Sequence, residues 1–221
     1  MNVVLFGATG MIGQGVLREC LLDPAVDRLL CIGRSSIGQE NPKLREIVHK
    51  NLLDYSPIED QLSGYDACFF CLGVSSAGMS EADYRRVTYD ITVAAAETLA
   101  RLNPRMTFIF VSGAGTDSSE KSGSMWARVK GQTENAVLRM PFRAAYMFRP
   151  GPIVPLHGIK SRTAAYRIGY ALVGPLLPWL ERRLPDQFTT TEKLGRAMLR
   201  VAKEGAPKVV LETRDVAALA S

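Results

Sequence analysis

The sequence predicts an α/β fold: a Rossmann-type, doubly wound parallel sheet with a small C-terminal cap. Three observations carry that prediction. Strand-like and helix-like segments alternate along the chain, the pattern of a parallel sheet covered on both faces. The strand segments are near-continuously apolar, as in Ala67-Cys68-Phe69-Phe70-Cys71-Leu72, and a strand buried on both sides has no polar face to show. A glycine-rich turn, Gly7 to Gly13, directly follows the first strand segment and opens the first helix, the setting in which such a turn cradles phosphate.

The elements follow in order. NVVLF (2–6) reads as a buried strand and GQGVLRECLL (13–22) as the first helix. RLLCIG (28–33), LREIVHK (44–50) and YDACFFCLG (65–73) supply strands two to four. A long helix covers 80–102, MTFIFVS (106–112) is the fifth strand, a helix carries Trp126 and Lys130, and FRAAYMFRP (142–150) is the sixth strand. After Arg149 the texture changes. PGPIVPLHG is punctuated like a loop, and the apolar segment from Ala164 to Leu180 reads as a broken helix over a pocket or a subunit contact. TTTEKLGRAMLRVAKEG (189–205) opens on threonine caps and stops at Gly205, so it reads as a helix, and KVVLE (208–212) is a last short strand. The expectation is one domain, 1–221, in which about 150–205 caps the same core, being too short to build its own.

Composition narrows the function classes. The chain has 221 residues, 47% of them hydrophobic and 22% charged, ordinary for a globular domain. A net charge of +5 and a pI near 9.1 suit an anionic ligand. Arg85-Arg86 and Arg182-Arg183 are the only adjacent basic pairs, so no nucleic-acid partner is expected. The longest apolar stretch, Arg167 to Leu180, holds an arginine and two prolines and is shorter than the roughly 20 residues of a membrane span. MNVVLFGATG runs straight into a strand pattern without a charged leader, which predicts a cytoplasmic protein, monomeric or homodimeric. Cys68 and Cys71 lie three apart in a strand and so point to opposite faces, and Cys20 and Cys31 fall on apolar faces. With His49 and His157 far apart, no metal site is expected.

The turn reads Gly7-Ala8-Thr9-Gly10-Met11-Ile12-Gly13. A tight turn needs glycine where φ is unusual. A second glycine admits a pyrophosphate to the backbone, and a third lets helix and strand pack closely. Helix N–H groups, with Met11 and Ile12 first, then face the anion. The end of strand two selects the cofactor. An acidic residue there would bind the adenosine ribose, but the chain has Gly33-Arg34-Ser35. A guanidinium matches a 2′-phosphate in charge and shape, and the Ser35 hydroxyl adds a donor, so NADP(H) is favoured over NAD(H). The competing reading is a surface arginine stacked on adenine. Asn51-Leu52 would lie beside the adenine, Asp54 would cap the next helix, and Leu72-Gly73-Val74 would pass near the cofactor ribose.

GATGMIGQGVLREC, CFFCLGVSSAG, VSGAGTD, RVKGQTE and FRPG together resemble the short-chain dehydrogenase/reductase superfamily, over nearly the whole chain. The nearest likeness is to its atypical, NAD-dependent epimerase/dehydratase-like members of the Tat-interacting reductase-like subgroup. That resemblance implies a serine after strand five and a Tyr-x-x-x-Lys pair on the following helix. Lys130 matches the lysine, which would anchor the nicotinamide ribose. Trp126 stands where the tyrosine would be. Ser112 is the nearest serine, although a shift of one residue puts Gly113 there. Arg149-Pro150-Gly151 looks like the loop beside the carboxamide. An indole cannot replace a phenol as proton donor, so Tyr84, Tyr89, Tyr166 and Tyr170 are alternative donors, each read more readily as core or surface. The resemblance implies an oxidoreductase acting on an unknown small carbonyl or quinone; the alternative is a non-catalytic NADP(H) sensor.

Overall fold

The computed structural model describes residues 1–159, 183 and 186–220. Its centre is one sheet of seven strands in the order β3-β2-β1-β4-β5-β6-β9, every pairing parallel. The strands are β1 (Asn2–Phe6), β2 (Arg28–Gly33), β3 (Leu44–Val48), β4 (Ala67–Phe70), β5 (Thr107–Val111), β6 (Ala144–Arg149) and β9 (Val210–Glu212). Two further strands, β7 (Ile153–Val154) and β8 (Thr189–Thr190), pair with each other. The Rossmann-type α/β expectation is met. Chain direction across the sheet reverses between β1 and β4, and ligands of open parallel sheets bind at the carboxyl ends beside such a point.

The core lies on both faces of the sheet because alternate strand residues point oppositely. Val3 and Leu5 join one cluster, with Val16 and Leu17 of α1 (Met11–Leu22). Val4 and Phe6 join the other, with Ala95, Ala96 and Leu99 of α3 (Ile91–Leu102). Cys68 and Cys71 fall in different clusters, and all four cysteines are free and buried. Ser80 caps α2 (Glu81–Arg85) through Asp83 N–H at 3.1 Å. Between α2 and α3 the helix passes through a π turn, Arg86–Asp90, which a 3.6-residue period gives no means of seeing. α4 (Met125–Leu138) follows β5.

The C-terminal part of the chain packs on the same core. α5 (Thr191–Glu204) lies against α1 as a sheet-covering helix, with Leu194, Ala197, Met198 and Val201 fully buried in the first cluster. The approach is backbone-close. A Cβ on Gly15 would stand 2.6 Å from the Thr191 side chain, and one on Gly195 would stand 2.7 Å from that of Glu19. A short helix, α6 (Thr213–Leu219), opens with a reciprocal Glu212/Asp215 capping box and completes this layer. The apolar segment Ala164–Leu180, with Tyr166 and Tyr170, lies outside the described residues. None of the described helices is long and apolar enough to cross a membrane.

Candidate functional site

The glycine turn is built as its spacing requires, with three different roles. Gly7 has φ +82°, and a Cβ there would lie 2.7 Å from the Cys71 carbonyl of the neighbouring strand end. A Cβ on Gly13 would lie 1.9 Å from the Gly7 oxygen, so this glycine lets α1 sit on its own strand. Gly10 is the one that leaves room: its Cβ would meet only the Gly7 oxygen, at 3.3 Å. It is the N-cap of α1, in an extended conformation, with no side-chain cap and no acidic residue in the first turn. The N–H groups of Met11 and Ile12 have no partner within the helix. The Thr9 carbonyl accepts a hydrogen bond from Gln14 Nε2 at 3.2 Å, which holds the turn on its helix. A cradle that a side chain on Gly10 would fill, at the positive end of a helix, fits a pyrophosphate.

Beside the turn opens a cleft of about 90 Å³ that joins Gly7 and Thr9 to Gly33, Arg34, Ser35 and Leu72. Arg34 is exposed and makes no ion pair among the described residues. Two groups here were not foreseen. Lys50 Nζ donates to the Arg34 carbonyl at 2.6 Å, setting a second cation beside the first. Glu46 also lines the cleft, its Oε2 accepting from Ile37 N–H at 3.1 Å. Burial, and then the Glu46 charge, push the Cys31 thiol up to about 12, so it is no nucleophile. Both residues reach Arg34 through the β2–β3 pairing, where Cys31 is opposite Glu46, and no local sequence pattern signals such a neighbour.

Of the other adenosine-side residues, Asn51 is exposed and its Oδ1 accepts from Leu53 N–H at 3.2 Å. Leu52 is corrected: only 4% exposed, it packs with Phe6 and Tyr55 in the core, so its side chain does not face a ligand. Asp54 caps the following turn through Ser56 N–H at 3.0 Å. Gly73 and Val74 are exposed beyond the end of β4.

Past β5 the structure departs furthest from expectation. Ser112, expected to be catalytic, is 7% exposed, and its hydroxyl donates to Glu134 Oε1. Glu134 is fully buried on α4 and forms an ion pair with Arg149, Nε to Oε1 at 3.0 Å and Nη2 to Oε2 at 2.5 Å. Arg149 also reaches Ser118 Oγ, and Glu212 at 3.5 Å. Its guanidinium is thus committed to this network. The Pro150 carbonyl accepts from Ala114 N–H at 2.9 Å, and Gly151 N–H donates to Thr213 Oγ1 at 2.8 Å. The Arg149-Pro150-Gly151 stretch therefore braces β5, α4 and α6 together. No sequence spacing marked Glu134 as the centre of this cluster.

Lys130 is one turn before Glu134 on α4, and its Nζ donates to the Ser112 carbonyl at 2.5 Å. Burial lowers its pKa to about 8, against the opposing pull of Glu134. Trp126 is half-buried, its ring against Gly115, where a Cβ would stand 3.2 Å from the indole. Of the alternative proton donors, Tyr84 is 2% exposed and belongs to the core, and Tyr89 lies under the Arg85 guanidinium at 4.0 Å. Neither stands free at the carboxyl end of the sheet.

No protein-family model matches the chain. It is 28% identical over 156 residues to Protein HTATIP2 of Rattus norvegicus, covering 69% of this chain and 63% of that one. It is 26% identical over 153 residues to Protein FMP52-1, mitochondrial, of Scheffersomyces stipitis, covering 68% and 66%. The chain thus spans about two thirds or less of the length of these relatives. The Bordetella bronchiseptica enzyme WbmF, solved in complex with NAD+, matches 98% of this chain and 76% of its own with TM-score 0.68 at 14% identity, a likeness of fold. The cytoplasmic expectation is overturned here, because several fungal relatives are named as mitochondrial proteins. Lack of a charged leader in MNVVLFGATG reports a local sequence pattern and not a compartment. The glycine turn and the sheet order are those of the Rossmann-type fold that the chain shares with the NAD+-bound WbmF structure, and its sequence relatives include Protein HTATIP2 and the FMP52 proteins.

Proposed function

We propose that this protein binds NADP(H) and acts as a slow oxidoreductase on a small carbonyl or quinone. The observation that carries this reading is the cleft that joins Gly7 and Thr9 of the glycine turn to Arg34 and Ser35, beside which Lys50 stands. The Met11 and Ile12 N–H groups would hold the pyrophosphate. Arg34, Ser35 and Lys50 would hold the 2′-phosphate, with Asn51 flanking the adenine. Gly73 and Val74 would pass the central ribose, and Lys130 would hold the nicotinamide ribose with the donors its carbonyl contact leaves free. When bound, the dinucleotide supplies the hydride. The whole chain, 1–221, is read as one domain.

A second reading has its own support. The usual phenol is replaced by Trp126, and the Ser112 hydroxyl is committed to Glu134. An NADP(H)-binding sensor without turnover needs neither hydroxyl. The two are separated by titrating pure protein with NADPH and NADH, then following NADPH oxidation over a panel of aldehydes, ketones and quinones. Binding with substrate-dependent oxidation supports the oxidoreductase. Binding without oxidation across the panel leaves the sensor, and absence of binding refutes both.

A further inference from the structure

We propose that Glu134 is a positioning residue for cofactor binding: clamped by Arg149, it fixes Ser112 through the serine hydroxyl, and the Ser112 carbonyl fixes the Lys130 ammonium at the carboxyl end of β5. The proposal rests on the reading of Lys130 as ribose anchor. Its physical basis is the completeness of the cluster. The two Glu134 oxygens take Ser112 Oγ and Arg149 Nε on one side, and Arg149 Nη2 and Ser118 Oγ, at 3.4 Å, on the other. A fully buried carboxylate with four donors has one orientation. A buried ion pair of this kind adds little net stability over a well-packed apolar replacement, so what it supplies is geometry.

The chain of contacts continues without a gap. Ser112 is held a second time by its N–H, which donates to the Phe148 carbonyl at 2.9 Å, and its hydroxyl also lies 3.2 Å from that oxygen. The residue that receives Lys130 is therefore fixed on both its backbone and its side chain. A lysine stem is flexible and its ammonium is a compact point charge. One of its three donors is taken by Ser112 and two remain for a ribose. Arg149 further ties the cluster to Glu212 at the start of α6, so the C-terminal helix has a route to the ammonium.

The test is a double-variant cycle on NADPH affinity, read from cofactor fluorescence with wild type, Ser112→Ala, Lys130→Ala and both together. Ser112→Ala is expected to weaken binding about three- to tenfold, the net share of one ordinary hydrogen bond, because the change reaches the ammonium only through the serine's position. In the Lys130→Ala background, which still binds through the adenosine half, the same change is expected to have no effect, because its influence runs through the ammonium. Equal losses in both backgrounds overturn the proposal, as does unaltered affinity in Ser112→Ala. If Ser112→Ala does not fold, Glu134→Gln, of the same shape, replaces it in the cycle with the same criteria. A wild type that binds neither NADPH nor NADH removes the dinucleotide reading, and this proposal with it; binding with an additive cycle removes the proposal alone.

Discussion

Arg34→Ala is the sharpest test of cofactor choice. The side chain is exposed and without an ion pair among the described residues, so removing it leaves nothing buried or unpaired, and the fold should be unaffected. A hydrogen bond to a charged group contributes about 1.5–3 kcal/mol, or roughly ten- to a hundredfold in affinity. One feature of the cleft pulls the value toward the lower limit. Lys50 Nζ sits on the Arg34 carbonyl and would keep part of the attraction for a 2′-phosphate. The expected loss is therefore about tenfold for NADPH and less than about twofold for NADH, because a hydroxyl offers no charge. Salt should shrink the NADPH effect, since exposed charges are screened over about 8–10 Å at physiological ionic strength. Isothermal titration with both cofactors at two salt concentrations measures this. Equal losses for NADPH and NADH would mean that Arg34 only stacks on adenine, and the NADP assignment would fall.

Three further outcomes are expected. Gly10→Val should abolish dinucleotide binding with little change in melting temperature, because the extended N-cap backbone accepts any residue and only the cradle is filled; calorimetry that still finds tight binding would displace the site. Gly13→Val, by contrast, would drive a side chain into the Gly7 carbonyl and break the turn itself. The Lys130 pKa is lowered to about 8, so above that pH binding must first return a proton to the amine; NADPH affinity should be flat below about pH 7 and fall above pH 8, and the fall should vanish in Lys130→Ala. Trp126→Tyr places a phenol one helical turn from that ammonium, where its pKa should fall; carbonyl reduction should appear or rise by about 10²–10⁴-fold, the usual contribution of a general acid, and unchanged rates on small aldehydes would show that a phenol on this turn cannot reach the substrate.

How much of this was legible depended on whether the informative contact is local in sequence. The strand segments around Val4 and Phe69 announced themselves because burial on both faces removes every polar position. The glycine turn was equally readable, since its three glycines answer to one another within seven residues. The amphipathic run beginning at Thr191 showed a helix but not its layer; that is set by Gly15 and Gly195 meeting side chains from the other end of the chain. Glu46 and Lys50 come to Arg34 across strand register. Ser112 looked like a free hydroxyl because a sequence cannot state that its partner, Glu134, waits on the next helix.

The seam between α1 and α5 also has a consequence for the chain as it is made. The phosphate turn and α1 leave the ribosome well before α5, which begins at Thr191 and is part of the surface that covers Val16, Leu17 and Cys20. At about 5–20 residues per second, that face waits roughly 10–30 s for its partner. During this interval the nascent chain carries an apolar helix with glycines where a covering helix must later fit flush. A helper that shields hydrophobic segments would find its target there, on α1, and would have to release it before α5 could dock.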